Sequence, residues 1–93
     1  MKLKVLKLGS RGNQVKFLQE ILAEEYGFEN TGGYDGIFGA LTEKQVKEYQ
    51  RANGLSVDGI AGKDTMFDLI WNAEKFGRDY WWIKLQVYIA FES

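Results

Sequence analysis

Apolar residues fall at Val15, Leu18, Leu22 and Tyr26, with Phe17 and Ile21 beside them. Steps of three and four put these side chains along one side of an α-helix, so residues 11–26 predict a first core-facing helix. A second helix over 40–53 turns Val46 and Tyr49 inward and Glu43, Lys44, Lys47 and Glu48 outward. A third over 63–76 carries Met66, Leu69, Ile70 and Ala73 on one face. The last stretch, RDYWWIKLQVYIAFES, changes period. Trp81, Ile83, Leu85, Val87, Ile89 and Phe91 alternate with other residues, and its aromatic and β-branched content favours a strand. KLKVLK near the start alternates too, so the two ends predict a short antiparallel β element. A helix through Trp81, Leu85, Tyr88 and Ile89 is the competing reading. The expected fold is mainly α, a three-helix bundle over residues 1–77, with 78–93 as an aromatic extension packed on the same domain.

Glycine punctuates this pattern. Gly-x-x-Gly-x-x-[Val/Thr] occurs three times, as Gly9-Gly12-Val15, Gly36-Gly39-Thr42 and Gly59-Gly62-Thr65. Each second glycine has another glycine 15 positions later, at Gly27, Gly54 and Gly77. The glycine-free segments between them suit helices of about 20 Å, ended by a glycine that takes the left-handed conformation. Phe28 and Leu55 are then the apolar residues that fold back on the last turn. Ser10 or Gly12 caps the first helix.

Two of the three loops also share Asp-Gly-Ile-x-Gly-x-x-Thr, at Asp35–Thr42 and Asp58–Thr65. An aspartate here accepts hydrogen bonds from backbone N–H groups two or three residues on. The first glycine permits positive φ, the isoleucine is expected in the core, and the second glycine turns the chain into the helix. The threonine hydroxyl can serve free backbone groups of the first turn. Asp35, Gly36, Gly39, Asp58, Gly59 and Gly62 therefore have a structural explanation, although helix N-termini also present donors to ligands.

Composition narrows the function. The chain has 93 residues, enough for one domain. Its 12 basic and 13 acidic residues leave a net charge of −1 and argue against a nucleic-acid partner. It has no cysteine and no histidine, which removes thiolate metal sites and the commonest general base and metal ligand. No metal or cofactor is expected. No apolar run approaches the length of a membrane span, and the lysine-bearing start has no apolar core of a secretion signal. Known glycine motifs fit poorly. Gly62-Lys63 is followed by Asp64, against the phosphate-loop pattern. Asp35 and Asp58 stand alone, against a calcium loop. A Gly-x-x-Gly RNA clamp would want basic residues around it. No carboxylate pair stands out as glycosidase machinery.

The spaced positions Gly9, Gly12, Val15, Leu18, Gln19; Asp35, Gly36, Phe38, Gly39, Thr42, Val46, Tyr49, Gln50; and Gly54, Leu55, Asp58, Gly59, Gly62, Thr65 resemble the bacterial and phage peptidoglycan-binding domain. This is a small three-helix module attached to many cell-wall hydrolases. The resemblance covers about residues 6–70. It departs from the family at Gln45, where a small alanine is usual, and does not extend to the tail. It implies a non-catalytic binder of cell-wall glycopeptide that concentrates an associated lytic or remodelling enzyme on its substrate. Function would then be extracellular or at the cell wall, by phage delivery, fusion or as a fragment. Related domains serve as prosegments of metalloproteinases through a cysteine, which this chain lacks.

Peptidoglycan offers sugar faces, amides and carboxylates, which call for aromatic, amide and cationic side chains or a helix N-terminus. Tyr34, Phe38, Thr42, Gln45, Arg51 and Lys63 are the expected ligand group. Phe38 and Tyr49 also have the pattern of core residues, and Arg51 that of a solvated charge. The tail supplies a competing class of function. If its apolar face is free, Trp81, Trp82 and Leu85 would drive self-association or docking to a neighbouring domain of a cell-wall or phage machine.

Overall fold

The computed structural model describes residues 3–91, among which four helices form: α1 (Asn13–Tyr26), α2 (Ala40–Ala52), α3 (Lys63–Trp71) and α4 (Arg78–Ala90). The first two run almost as expected. Gly27 ends α1 at φ 75°, with its N–H on the Ala23 carbonyl and the Phe28 N–H on that of Leu22. Leu55 N–H closes α2 on the Gln50 carbonyl at 2.9 Å. Phe28 and Leu55 pack partly buried against the core, as their positions predicted.

Three differences correct the sequence reading. First, α3 stops at Trp71, five residues before the expected end at 76. Asn72 closes it, its side-chain amide donating to the Asp68 carbonyl at 3.0 Å. Gly77, expected as a helix stop, begins the next helix with φ 91°. Second, the tail is α4 and not a strand. Trp81, Leu85 and Ile89 are buried at steps of four, while Ile83, Val87 and Phe91 are 63 %, 46 % and 78 % exposed. Alternate residues lie about 200° apart on a helix, so an alternating run sends every second member to the opposite side. A lone strand also leaves its backbone groups unpaired, whereas a 13-residue helix satisfies most of its own. Third, the N-terminal segment contributes one isolated bridge, Leu6 to Ala61, and no strand forms among the described residues. Residues 1–2 and 92–93 of the expected β element lie outside the described residues.

The core gathers around α1, which packs against both α3 and α4. Val15, Phe17, Leu18, Ile21 and Leu22 are fully buried. Trp81 from α4 lies edge-on to Phe17 with ring centroids 5.8 Å apart. Full burial of a large side chain contributes about 1.5–3 kcal/mol. The tail thus completes the hydrophobic core.

Two polar clusters fix α4 in register. Glu25, at the end of α1, accepts the N–H groups of Glu74, Lys75 and Phe76 at 3.1, 2.9 and 2.6 Å. It also accepts the Trp81 indole N–H at 2.7 Å. Burial opposes ionisation of this carboxyl, but the bonds from Phe76, Trp81, Lys75 and Glu74 outweigh it and hold it below its ordinary value. One turn earlier on α1, buried Glu20 pairs with Lys84 at 2.6 Å and accepts the Tyr88 hydroxyl at 2.6 Å. Burial and that bond push the Tyr88 phenol up to about 12.

Candidate functional site

Both Asp-Gly loops are built around a buried glutamine from the helix that precedes them. Gln19 of α1 accepts the Gly36 N–H at 3.0 Å through its carbonyl oxygen. Its amide donates to the Asp35 carboxylate at 3.1 Å, the Ile37 carbonyl at 3.0 Å and the Thr42 hydroxyl at 3.2 Å. Gln50 of α2 repeats this on the next loop. It accepts the Asp58 and Gly59 N–H groups at 3.1 and 3.0 Å and donates to the Asp58 carboxylate, the Ile60 carbonyl and the Thr65 hydroxyl. Gln19 is 3 % exposed and Gln50 1 % exposed, so these bonds replace water that cannot enter.

The aspartates act as expected. Asp35 and Asp58 each accept the N–H two residues on, from Ile37 and Ile60, at 2.9 Å. The Ile37 N–H, then the Gln19 amide, hold the Asp35 carboxyl below the usual carboxylate range, and the Ile60 N–H, then the Gln50 amide, do the same for Asp58. Other expectations need correcting. Ile37 is 42 % exposed, and the buried residue is the next one, Phe38 in one loop and Ala61 in the other. These are also the places where backbone pairs across loops: Phe38 N–H to Ser10, Gly9 N–H to Phe38, and Leu6 with Ala61 in both directions. The threonine hydroxyls receive the glutamine amides. Gly36 and Gly59 require glycine, with φ of 74° and 72°. Gly39 and Gly62 cap α2 and α3 in extended backbone with open space around them, so conformation does not call for glycine there. Gly12, not Ser10, caps α1, and Ser10 accepts the Lys7 N–H.

The expected ligand group divides. Phe38, Thr42 and Gln45 are buried, at 1 %, 5 % and 6 % exposure. Phe38 fills the core, Thr42 serves Gln19, and Gln45 donates to the Glu29 carbonyl, tying the α1–α2 loop to α2. Tyr34 is half-buried beside Glu24; burial and that carboxylate raise its phenol pKa. Arg51 is exposed, and Lys63 is exposed with its ammonium 5.7 Å from the Phe67 ring centre. In the competing group, Trp81 and Leu85 are core residues at 0 % and 1 % exposure, and Trp82 alone faces solvent.

Two features escaped the sequence reading. The glutamine locks leave one signal: each Asp-Gly loop is preceded by a glutamine among the apolar positions of a helix. The other is a groove between α3 and α4, walled by Phe67, Trp71 and Trp82. Its signal was the spacing of four between Phe67 and Trp71, read only as part of a helix. Among the described residues no group of acidic side chains could hold a metal ion, and no helix is long and apolar enough to cross a membrane.

A family profile described as "Putative peptidoglycan binding domain" matches residues 11–66. The chain is 42 % identical over 59 residues to N-acetylmuramoyl-L-alanine amidase CwlL of Bacillus licheniformis, covering 59 % of this chain and 16 % of the amidase. It spans a quarter or less of the curated relatives it matches. The solved SleB N-terminal domain aligns at TM-score 0.69 and 34 % identity, covering 80 % of this chain and 99 % of that one. The Burkholderia AP3 phage endolysin aligns at TM-score 0.65 and 39 % identity, covering 71 % of this chain and 24 % of the endolysin.

Proposed function

Since the chain belongs to the peptidoglycan-binding domain family, we propose that it binds cell-wall peptidoglycan and holds an associated wall hydrolase on its substrate. The carrying observation is the family match over residues 11–66, together with both glutamine-locked loops of that segment. The amidase and the endolysin among its relatives support the link to wall hydrolysis. The domain itself is non-catalytic in this reading, and its place of action is the cell wall. Restricting a bound enzyme to the wall raises its local substrate concentration without new chemistry. Of the expected ligand group, Tyr34, Arg51 and Lys63 keep side chains a polymer can reach, whereas Phe38, Thr42 and Gln45 are buried.

The test is co-sedimentation of the purified protein with intact bacterial sacculi, scored beside release of soluble wall fragments. Saturable binding without release supports the proposal. Protein that stays in the supernatant overturns the binding role, and released fragments overturn the non-catalytic one. Of the residues on which the assembly reading rests, Trp82 alone is exposed, and the exposed Ile83 and Val87 of α4 join it. Light scattering in the same buffer decides this reading: a mass that rises with concentration and falls back in Ile83→Lys supports assembly.

A further inference from the structure

The groove between α3 and α4 has a volume of about 810 Å³, within the roughly 300–1,000 Å³ of small-ligand sites. Its aromatic walls stand in water: Trp71 is 65 % exposed, Trp82 44 % and Phe67 39 %. The Phe67 and Trp82 rings are 5.9 Å apart and tilted by 53°, an open V. The Arg78 guanidinium lies 3.9 Å from the Trp71 ring centre. Asp64 and Asp79 line the same groove, as does Asp68, whose carboxylate accepts the Tyr49 hydroxyl. A concave site with apolar walls and a few polar groups is the usual form of a small-ligand site.

Charge selects the occupant. Three acidic residues line the groove beside one arginine, whose guanidinium is already stacked on an indole. Such a lining repels anions, including the free carboxylates of wall stem peptides. It suits a neutral ligand with apolar ring faces and many hydroxyl donors. Sugar rings can lie on the indoles while their hydroxyls donate to Asp64 and Asp79, as charge-assisted bonds. We propose that the α3–α4 groove binds the N-acetylated sugar backbone of the glycan strand through Trp71 and Trp82. This rests on the peptidoglycan-binding reading and specifies its ligand. Phe67, Trp71, Arg78, Asp79 and Trp82 lie beyond the family-matched segment, and Asp64 lies within it, so the groove spans the end of that segment and the residues that follow. Lys63, over Phe67, joins it to the surface where α3 begins.

The experiment titrates the whole chain with a tetramer of β-1,4-linked N-acetylglucosamine and follows tryptophan fluorescence. Glycan strands stripped of stem peptide and free stem peptide serve as competitors. Intact sacculi are tested in parallel, on wild type and on Trp71→Ala and Trp82→Ala, singly and together. Circular dichroism checks that these exposed changes leave the fold intact. The expected result is saturable binding of the tetramer, competition by stripped glycan and not by stem peptide, and about tenfold weaker binding for each variant. Wild-type binding of sacculi by the double variant overturns the groove assignment and leaves the peptidoglycan reading standing. Competition by stem peptide instead of glycan overturns it also. Failure to bind either sacculi or tetramer overturns both. A concentration-dependent mass abolished by Trp82→Ala, without sugar binding, makes the groove a protein-docking face and overturns the proposal.

Discussion

Gln19 reaches 16 positions forward to close the loop before α2, whereas Gln50 reaches only 8 to close the loop before α3. The bonds they make are nearly the same. What surrounds them is not. At the first loop the residue after the isoleucine is Phe38, a large core side chain, and the tight glycine faces backbone, with the Gly12 carbonyl oxygen 3.0 Å from an added Cβ. At the second loop the same place holds Ala61, and the tight glycine faces flexible chains, Lys47 Cε at 2.9 Å and Glu43 Cγ at 3.0 Å. The first loop is wedged into the core and the second is laid on its edge. A local motif therefore fixes the loop's conformation, while packing decides how much of the fold depends on it.

Phe38→Ala tests that difference most severely. It should cost about 3–5 kcal/mol in urea unfolding, the range for a large aromatic removed from a core. Ala61→Gly should cost about 1 kcal/mol, chiefly through backbone freedom. Equal losses would mean that the two loops carry the core equally. Next come the locks. Gln19→Ala strands the buried Gly36 N–H and Gln50→Ala the buried Gly59 N–H, whereas the exposed Asp58 N–H keeps the Ser56 carbonyl at 3.1 Å. With one buried N–H left unpaired in each, the two substitutions should each cost about 1–3 kcal/mol, and nearly the same amount. Equal losses here, beside the unequal first pair, separate what the core contributes from what the lock contributes. The same unfolding curves check it.

Gly36→Ala and Gly59→Ala give a smaller contrast. Both put an alanine at positive φ, which alone costs about 1–2 kcal/mol. At Gly59 the neighbours are side chains that can swing away. At Gly36 the neighbour is the carbonyl of Gly12, whose own N–H is bonded to the Gly36 carbonyl, so it cannot retreat freely. Gly36→Ala should therefore melt at the lower temperature of the two. Coincident melting curves would show that the Gly12 segment yields.

These contrasts also explain what could be read from sequence. Three helices, the glycine endings at Gly27 and Gly54 and the aspartate turns follow from local rules, because the residues that set them are neighbours in the chain. The ligand group was harder. Thr42 and Gln45 look like surface polar residues in helix 2, and only contact with Gln19 and with the Glu29 carbonyl, both distant in sequence, shows them to be internal. The tail failed for a different reason. Trp81, Leu85 and Ile89 satisfy a period of two and a step of four together, so periodicity alone could not choose. Glu25 settles α4's position by collecting Phe76 and Trp81 from more than 50 residues away, a contact no local pattern announces.

The smallest effect is also the most discriminating, because it reads each loop separately. Asp35 and Asp58 are both held below the usual carboxylate range by the N–H two residues on, then by the glutamine amide. A depressed folded pKa means that each carboxylate stabilises the fold above its unfolded value. That contribution is lost as pH falls through the lower, folded value. Carboxyl carbon shifts followed by NMR during an acid titration should show both groups ionised below the ordinary range in wild type. In Gln19→Ala the Asp35 midpoint should rise and that of Asp58 stay fixed; in Gln50→Ala the reverse should hold. Glu25 serves as the internal reference, since its donors come from the α3–α4 connection and Trp81, and neither substitution touches them. If one glutamine change moves both aspartates, the two loops are coupled through the Gly12, Phe38 and Ala61 backbone pairs, and the description of two independent locks on one core fails.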